Sequence, residues 1–276
     1  MSEIVWEEGE QRLHVRSPFM MESLMDKDLI RSTHSDQEIS VFPDLNVIKI
    51  GGLSILDRGK AAVFPLVEEI IQNSRNHKLM VGVGGGTRER HTYAVGLDLG
   101  IPTGGLAMIA GAIPEQNALL VQVLLSKAGG IRIAKEDFEK LPIYLRSGSI
   151  PVVVGMPPYH YWEHPAPVGR IPQHGSDTGM YLIAEVFSTR SCILVKDVDG
   201  VFSADPKANP RAEFISKISA KELLELDLRD LPVERAVLEI MLTARNCRAL
   251  RIINGLVPGN LTRALDGDEV GTLIHQ

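Results

Sequence analysis

Three short stretches of the chain combine residue types and spacings suited to handling anions. In KIGG, Lys49 sits on an apolar run with Gly51 and Gly52 just beyond it. Glycines without Cβ let backbone N–H groups approach a phosphate, and the lysine adds a point charge. The same four residues also suit a plain strand-end turn with an exposed lysine. GGGTRER is more specific. Gly84, Gly85 and Gly86 lie between an apolar strand and a helix start, the layout of an anion nest, and Arg88 and Arg90 fall in the first turn, where they can grip a phosphoryl or other oxyanion. Two glycine-rich exits facing one crevice suggest a polyphosphate or two anions. The third stretch, KDVDGVFSADP, supplies Lys196, Asp197, Asp199, Phe202 and Asp205 around a Gly and Pro turn. It reads either as a charged hairpin or as a nucleotide clasp with Phe202 against a base. Asp177, in GSDTGM, is either the N-cap of a helix or a carboxylate that holds lysine ammonium groups around phosphate oxygens.

A fourth stretch differs in kind. PPYHYWEHPAPVGRIPQH packs five prolines, three histidines and three aromatics into eighteen positions, 157–174. Each proline fixes φ and removes a donor, so the run is neither helix interior nor central strand. It is a rigid loop carrying His160, His164 and His174, a binding element or a lid. Prolines on both sides of the H-x3-H spacing leave at most one helical turn, which weighs against a tetrahedral zinc site.

These stretches need a frame. From residue 44 apolar runs alternate with helical patterns: strands are expected over 46–52, 78–86, 149–158, 192–202, 249–256 and 269–275, and helices over 60–74, 87–100, 119–130, 177–187 and 234–246. Continuous apolar strands alternating with helices imply an α/β fold with a mainly parallel sheet covered on both faces. Ligands in such sheets sit beyond the carboxyl ends of the strands, where all four stretches lie. Residues 1–41 are polar and irregular and read as an N-terminal arm, in which 17–32 has the spacing of a short helix that is either frayed or docked on another subunit.

Bulk properties exclude several classes. With a net charge of −6 and no Lys/Arg-rich run, no nucleic-acid partner is expected. The apolar stretches look too short or too interrupted to span a bilayer, and the acidic N-terminus lacks a secretory h-region. Cys192 and Cys247 lie in apolar context and read as buried thiols in the cytoplasm.

KIGG, GGGTRER, SDTGMYLIAE, VKDVDGVFSADP and NGLVPGNLTRALDGDEVGTLI occur in the order and spacing of the amino-acid-kinase superfamily. Its closest kinase branch resembles bacterial uridylate kinase. MPPY followed by His, the IP…DTG segment and INGLVPGNLTRAL resemble the molybdenum/tungsten storage family within it. The resemblance covers 42–276 and implies a three-layer αβα sandwich. It implies Mg-ATP held by Gly51, Gly52, Gly84–Gly86 and Arg88, with Lys196, Asp199, Phe202 and Asp205 on the nucleotide side and Lys49 and Asp177 as catalytic groups. It further implies molybdate or tungstate stored as polyoxoanion clusters in a hexameric trimer of dimers, built from copies of one chain or with a related second subunit type. In that setting His160 is a cluster ligand, with His164 and His174 as helpers, and Arg88, Arg90 and Arg170 add local positive charge.

The chain also departs from the family pattern. Ile133 and Tyr144 fall near positions where one subunit type has His and Glu ligands, and Lys196 replaces a magnesium carboxylate of that type. AMIAGAIPEQN, 107–117, lacks the Asp-His of uridylate kinases. A UMP kinase, and a non-catalytic nucleotide-binding assembly subunit, remain as the alternative functions.

Overall fold

A computed structural model describes residues 39–157, 163–206 and 209–276, together with the backbone of 4–5 and 14–15. The chain divides into two units, Met1–Ile39 and Ser40–Gln276. The first is described only as an antiparallel ladder of β1, Ile4–Val5, and β2, His14–Val15, in which Ile4 faces Val15. The helix expected over 17–32 lies outside the described residues.

The second unit is a three-layer αβα sandwich. Its sheet contains β3 (Leu45–Ile50), β4 (Lys78–Val83), β5 (Gly130–Arg132), β6 (Ile150–Val154), β7 (Ser191–Lys196), β10 (Lys217–Ser219), β11 (Ala249–Asn254) and β12 (Thr272–His275), in the order β10-β12-β11-β7-β3-β4-β6-β5. Every neighbouring pair is parallel except β11 with β12. The run expected as one strand over 192–202 breaks after Lys196, and β8, Val201–Phe202, pairs instead with β9, Phe214–Ile215, as a separate hairpin.

The pleat sorts the core into two layers. In β3, Leu45 and Val47 face one layer, and Ile48 and Ile50 face the other; in β7, Cys192 and Leu194 oppose Ile193 and Val195 in the same way. The first layer holds α4 (Leu141–Arg146), α5 (Ser176–Phe187), α6 (Ala220–Glu225) and α7 (Arg235–Met241). The second holds α1 (Lys60–Asn73), α3 (Thr103–Leu125) and α8 (Asn260–Asp266). The remaining helix, α2 (Thr87–Asp98), packs on α3. Lys49 has the parity of Leu45 and Val47, and Lys196 that of Cys192 and Leu194, so both ammonium groups point toward α5. Gly82 on β4 lets that helix settle, since a Cβ there would lie 2.0 Å from the Met180 Sδ.

A second sequence expectation requires correction. The apolar pattern read as a helix over 119–130 begins at Thr103 and runs through Pro114. With its 3-10 extension, 103–128 is long and apolar enough to cross a membrane by length and composition alone. Here it lies on the sheet, with Ala118, Val121 and Leu125 buried against β4–β6. Cys192 and Cys247 are both buried and free.

Candidate functional site

Beyond the carboxyl ends of β3, β4 and β7 lies a cleft of about 680 Å³. Its floor is a cluster of three charges. Asp177, in the first turn of α5, is 2% exposed, and its Oδ1 lies 2.7 Å from the Lys49 Nζ. The Lys196 Nζ donates to both carboxylate oxygens, at 2.9 and 2.7 Å. Burial alone would raise the pKa of Asp177, but Lys196 and Lys49 outweigh it and hold the carboxyl well below the usual carboxylate range. The two lysines respond oppositely to the same partner. Burial weakens both charges; for Lys49 the Asp177 carboxylate prevails and raises the pKa, whereas Lys196, which also feels Lys49, is lowered. Both face one anion, so their titrations belong to the cluster rather than to either side chain.

A fourth, partly buried group fixes this arrangement from a distant part of the sequence. Glu234, just before α7, accepts from the backbone N–H of Gly175 (3.0 Å), Asp177 (3.1 Å) and Thr178 (3.0 Å), and from the Thr178 hydroxyl (2.7 Å). It therefore caps the N-terminus of α5. Asp177 makes no side-chain cap of its own helix, which separates the two readings of that residue in favour of the lysine partner. Burial, with the Asp177 charge added, raises the Glu234 pKa against the pull of Lys49 and Thr178.

The two glycine loops form one wall. At Gly52 a Cβ would lie 2.3 Å from the Gly86 nitrogen, so only bare backbone allows the loops to abut. Asn117 on α3 braces the second loop, donating to the Gly84 (2.7 Å) and Gly85 (3.2 Å) carbonyls. Arg88 is placed differently from the expectation. It turns away from the cleft to α3, donating to the Gln116 Oε1 at 2.9 Å and to the Asn117 Oδ1, while Arg90 lines the cleft. Asp57, on the turn after the first loop, accepts from the Thr87 N–H at 2.6 Å and occupies the start of α2.

On the opposite side, Phe202 and Asp205 line the cleft, with Phe202 edge-on to Phe214 at 5.5 Å between centroids. Asp199 does not line it; this residue is exposed and accepts from the Asn254 Nδ2 at 2.8 Å. Asp197 lines it instead and is ion-paired with Arg58. Of the loop histidines, His160 lies outside the described residues. His174 Nδ1 is 2.7 Å from the buried Glu163 carboxylate, and the exposed His164 ring stands 6.2 Å from that of His174. Among the described residues, no three His, Cys, Asp or Glu side chains converge as a metal site requires.

The charge balance restricts the ligand. Six carboxylates line the cleft (Glu89, Asp177, Asp197, Asp205, Asp230 and Glu234) against three cations, Lys49, Arg90 and Lys196. A bare polyanion is repelled by such a lining, and a polyphosphate that brings its own hard divalent cation is not. Glu89 and Glu234 were absent from the sequence expectations, and Asp197 was named there only as part of the KDVDGVFSADP stretch. Glu89 lay within the GGGTRER motif, whereas Glu234 had no local signal.

The Amino acid kinase family model matches residues 44–254. The chain is 43% identical over 255 residues to the molybdenum storage protein subunit beta of Azotobacter vinelandii, covering 92% of this chain and 94% of that protein. It is 30% identical over 236 residues to the uridylate kinase of Methanothermobacter thermautotrophicus, covering 83% and 97%. Among solved structures, the uridylate kinase of Archaeoglobus fulgidus matches with a TM-score of 0.62 at 24% identity, over 83% of this chain and 99% of that one. The UMP kinase of Bacillus anthracis matches with a TM-score of 0.66 at 20% identity, over 84% and 96%. At these identities the structures share the fold.

Proposed function

The chain belongs to the amino acid kinase family, and from that premise we propose that it is an ATP-dependent molybdenum storage subunit, working in the cytoplasm. The cleft binds Mg-ATP, the terminal phosphoryl group is transferred to water, and molybdate or tungstate is retained as polyoxoanion clusters within a hexameric cage. The cage is built from this chain alone or with a second, related subunit. The observation that carries this reading is Asp177 clamped between Lys49 and Lys196 beneath two abutting glycine loops, in a chain 43% identical to a storage subunit.

Each part of the cleft has a task in this reading. Gly51, Gly52 and Gly84–Gly86 offer backbone N–H groups to the phosphates, and the nucleotide carries Mg²⁺ into the acidic lining. When bound, the cation neutralises charge that develops on phosphoryl oxygens. Asp177 keeps both ammonium groups ordered before the ligand arrives, so no reorganisation is required during transfer. Phe202 packs against the base. Arg88 serves the phosphates indirectly, through Asn117. His160, with His164 and His174 as helpers, contacts the stored clusters. The Glu163 carboxylate beside the His174 Nδ1 resembles the outer-shell partner that orients a ligating imidazole.

The test is elemental analysis of the protein after incubation with molybdate and Mg-ATP, followed by gel filtration. The expected result is retention of many molybdenum atoms per chain, dependent on ATP, with a lower load in His160→Ala and nucleotide binding unchanged. At most about one atom per chain, together with robust UDP formation from UMP, establishes a UMP kinase instead, the reading favoured by the 30% identity to a uridylate kinase. Nucleotide binding with neither turnover nor loading leaves a non-catalytic assembly subunit.

A further inference from the structure

Glu89 is a carboxylate packed against the glycine nest from within its own helix, as Asp57 is from the first loop's side. It lies in the first turn of α2 and lines the cleft, packed so closely on the second loop that a Cβ at Gly85 would fall 2.5 Å from its Cβ and 2.6 Å from its Oε2. The neighbouring Gly85 backbone favours its charged form, so it competes for a donor that the loop would otherwise present to a phosphoryl oxygen. Among the described residues, no cation forms an ion pair with it. Lys49, the nearest buried ammonium, is committed to Asp177 at 2.7 Å, and Arg90 on the same helix is solvent-exposed. The other ionisable groups around it are Glu234 from the segment before α7, Tyr93 one turn along α2, and Asp57 against Gly86.

An ionised Glu89 and a phosphoryl or tetrahedral oxyanion cannot share this nest without strong repulsion. We infer that Glu89 is a ligand-contacting acid: when such an anion seats on Gly84–Gly86, Glu89 takes up one proton from solvent and donates it in a hydrogen bond to an anion oxygen. Binding at this cleft is therefore proton-coupled, and the cleft selects tetrahedral oxyanions and terminal phosphoryl groups, which offer an acceptor at that point. The protonation equilibrium of the free protein is already poised for this. Burial, reinforced by Glu234, pushes Glu89 up to about 7 against the opposing pull of Lys49, Gly85 and Arg90. The inference rests on the glycine loops being the phosphate seat.

The experiment is isothermal titration of the full-length protein with a non-hydrolysable ATP analogue and Mg²⁺. It is run at pH 8 in buffers of different ionisation enthalpy, on wild type and Glu89→Gln. The variant keeps a hydrogen-bond donor of the same shape, and the difference between the two proteins removes any proton bound by the ligand. Wild type is expected to take up about one proton more than Glu89→Gln, and its Kd to weaken by roughly tenfold between pH 6 and 8, while that of the variant changes by less than about twofold. Equal proton uptake and equal pH dependence in the two proteins overturn the role of Glu89 and leave the phosphate seat standing. Absence of binding in both at pH 6 overturns the seat and the inference together. A second readout needs no variant: the infrared difference spectrum of wild type on ligand binding gains a protonated-carboxyl C=O band, and its absence also overturns the inference.

Discussion

Replacing Asp177 by asparagine removes the anion paired with the buried Lys49 and the partly buried Lys196 and changes almost nothing else in shape. Asp177 and Lys49 are 2% and 4% exposed, so water cannot replace the lost charge. Breaking a buried ion pair from one side costs about 3–5 kcal/mol, and two uncompensated lysines place this case toward the upper end. For a domain of this size that lowers Tm by roughly 6–20 °C at pH 7. The pH dependence is more diagnostic. Lys196 is already lowered in the wild type, and without its counter-charge it loses its proton first in the folded state. The unfolded chain, with an ordinary lysine, then binds more protons than the native one, so the variant gains stability as pH rises. Over two pH units up to about 2.7 kcal/mol returns. The wild type has a dependence of the same sign at the acid end. Its lowered Asp177 stabilises the fold above the ordinary carboxylate range, and that contribution is lost as pH falls through the lower folded pKa. Thermal unfolding of both proteins at pH 7 and 9 checks this. A deficit under about 3 °C that is equal at the two pH values would refute the charge-cluster account and leave Asp177 as a polar filler.

Two further substitutions probe the walls of the cleft. Arg88→Ala frees Asn117 and loosens Gly84 and Gly85; at about 1 kcal/mol for the lost brace, nucleotide Kd weakens roughly fivefold although Arg88 does not line the cleft. Unchanged affinity would show that Asn117 holds the loop alone. Phe202→Ala removes a ring that lines the cleft and its edge contact with Phe214. A loss of about 1–1.5 kcal/mol predicts roughly tenfold weaker nucleotide binding, read by the same titration, and equal affinity would place the base elsewhere.

Much of the frame was legible because it depends on local pattern. Apolar runs ending in glycine marked β3, β4 and β6, and Lys49 could be assigned to a strand end from four letters. Short elements with weak patterns, such as β9, β10, α6 and α8, escaped. The helix expected from 119 starts instead at Thr103 and passes through Pro114, because the sheet beneath supplies the packing that propensity alone does not. The cleft lining was legible wherever a residue enters it from its own strand end, as Lys49, Lys196 and Phe202 do. It was not legible where the partner lies far along the chain. Nothing near residue 234 signals that Glu234 caps a helix beginning at 176. Arg88 and Arg90 are indistinguishable in sequence, and only the helix period, which turns one toward Asn117 and the other toward the cleft, separates them. Asp197 and Asp199 exchanged roles for a similar reason, since the chain turns between β7 and β8.

The parity of the pleat has a further consequence for how such a protein can change. Lys49 and Lys196 share their strand faces with Leu45, Val47, Cys192 and Leu194, so core and chemistry are written in one alternating code. Inserting or deleting a single residue within β3 or β7 would carry the ammonium into the opposite helical layer and turn Ile48 or Val195 toward Asp177. The charge cluster can therefore be lost in one step but not shifted gradually. Variation compatible with folding is confined to the segments that begin where the strands stop. Descendants of one ancestral frame can thus take up different acceptors or cargo by rebuilding those segments, while the lysines beneath remain in register.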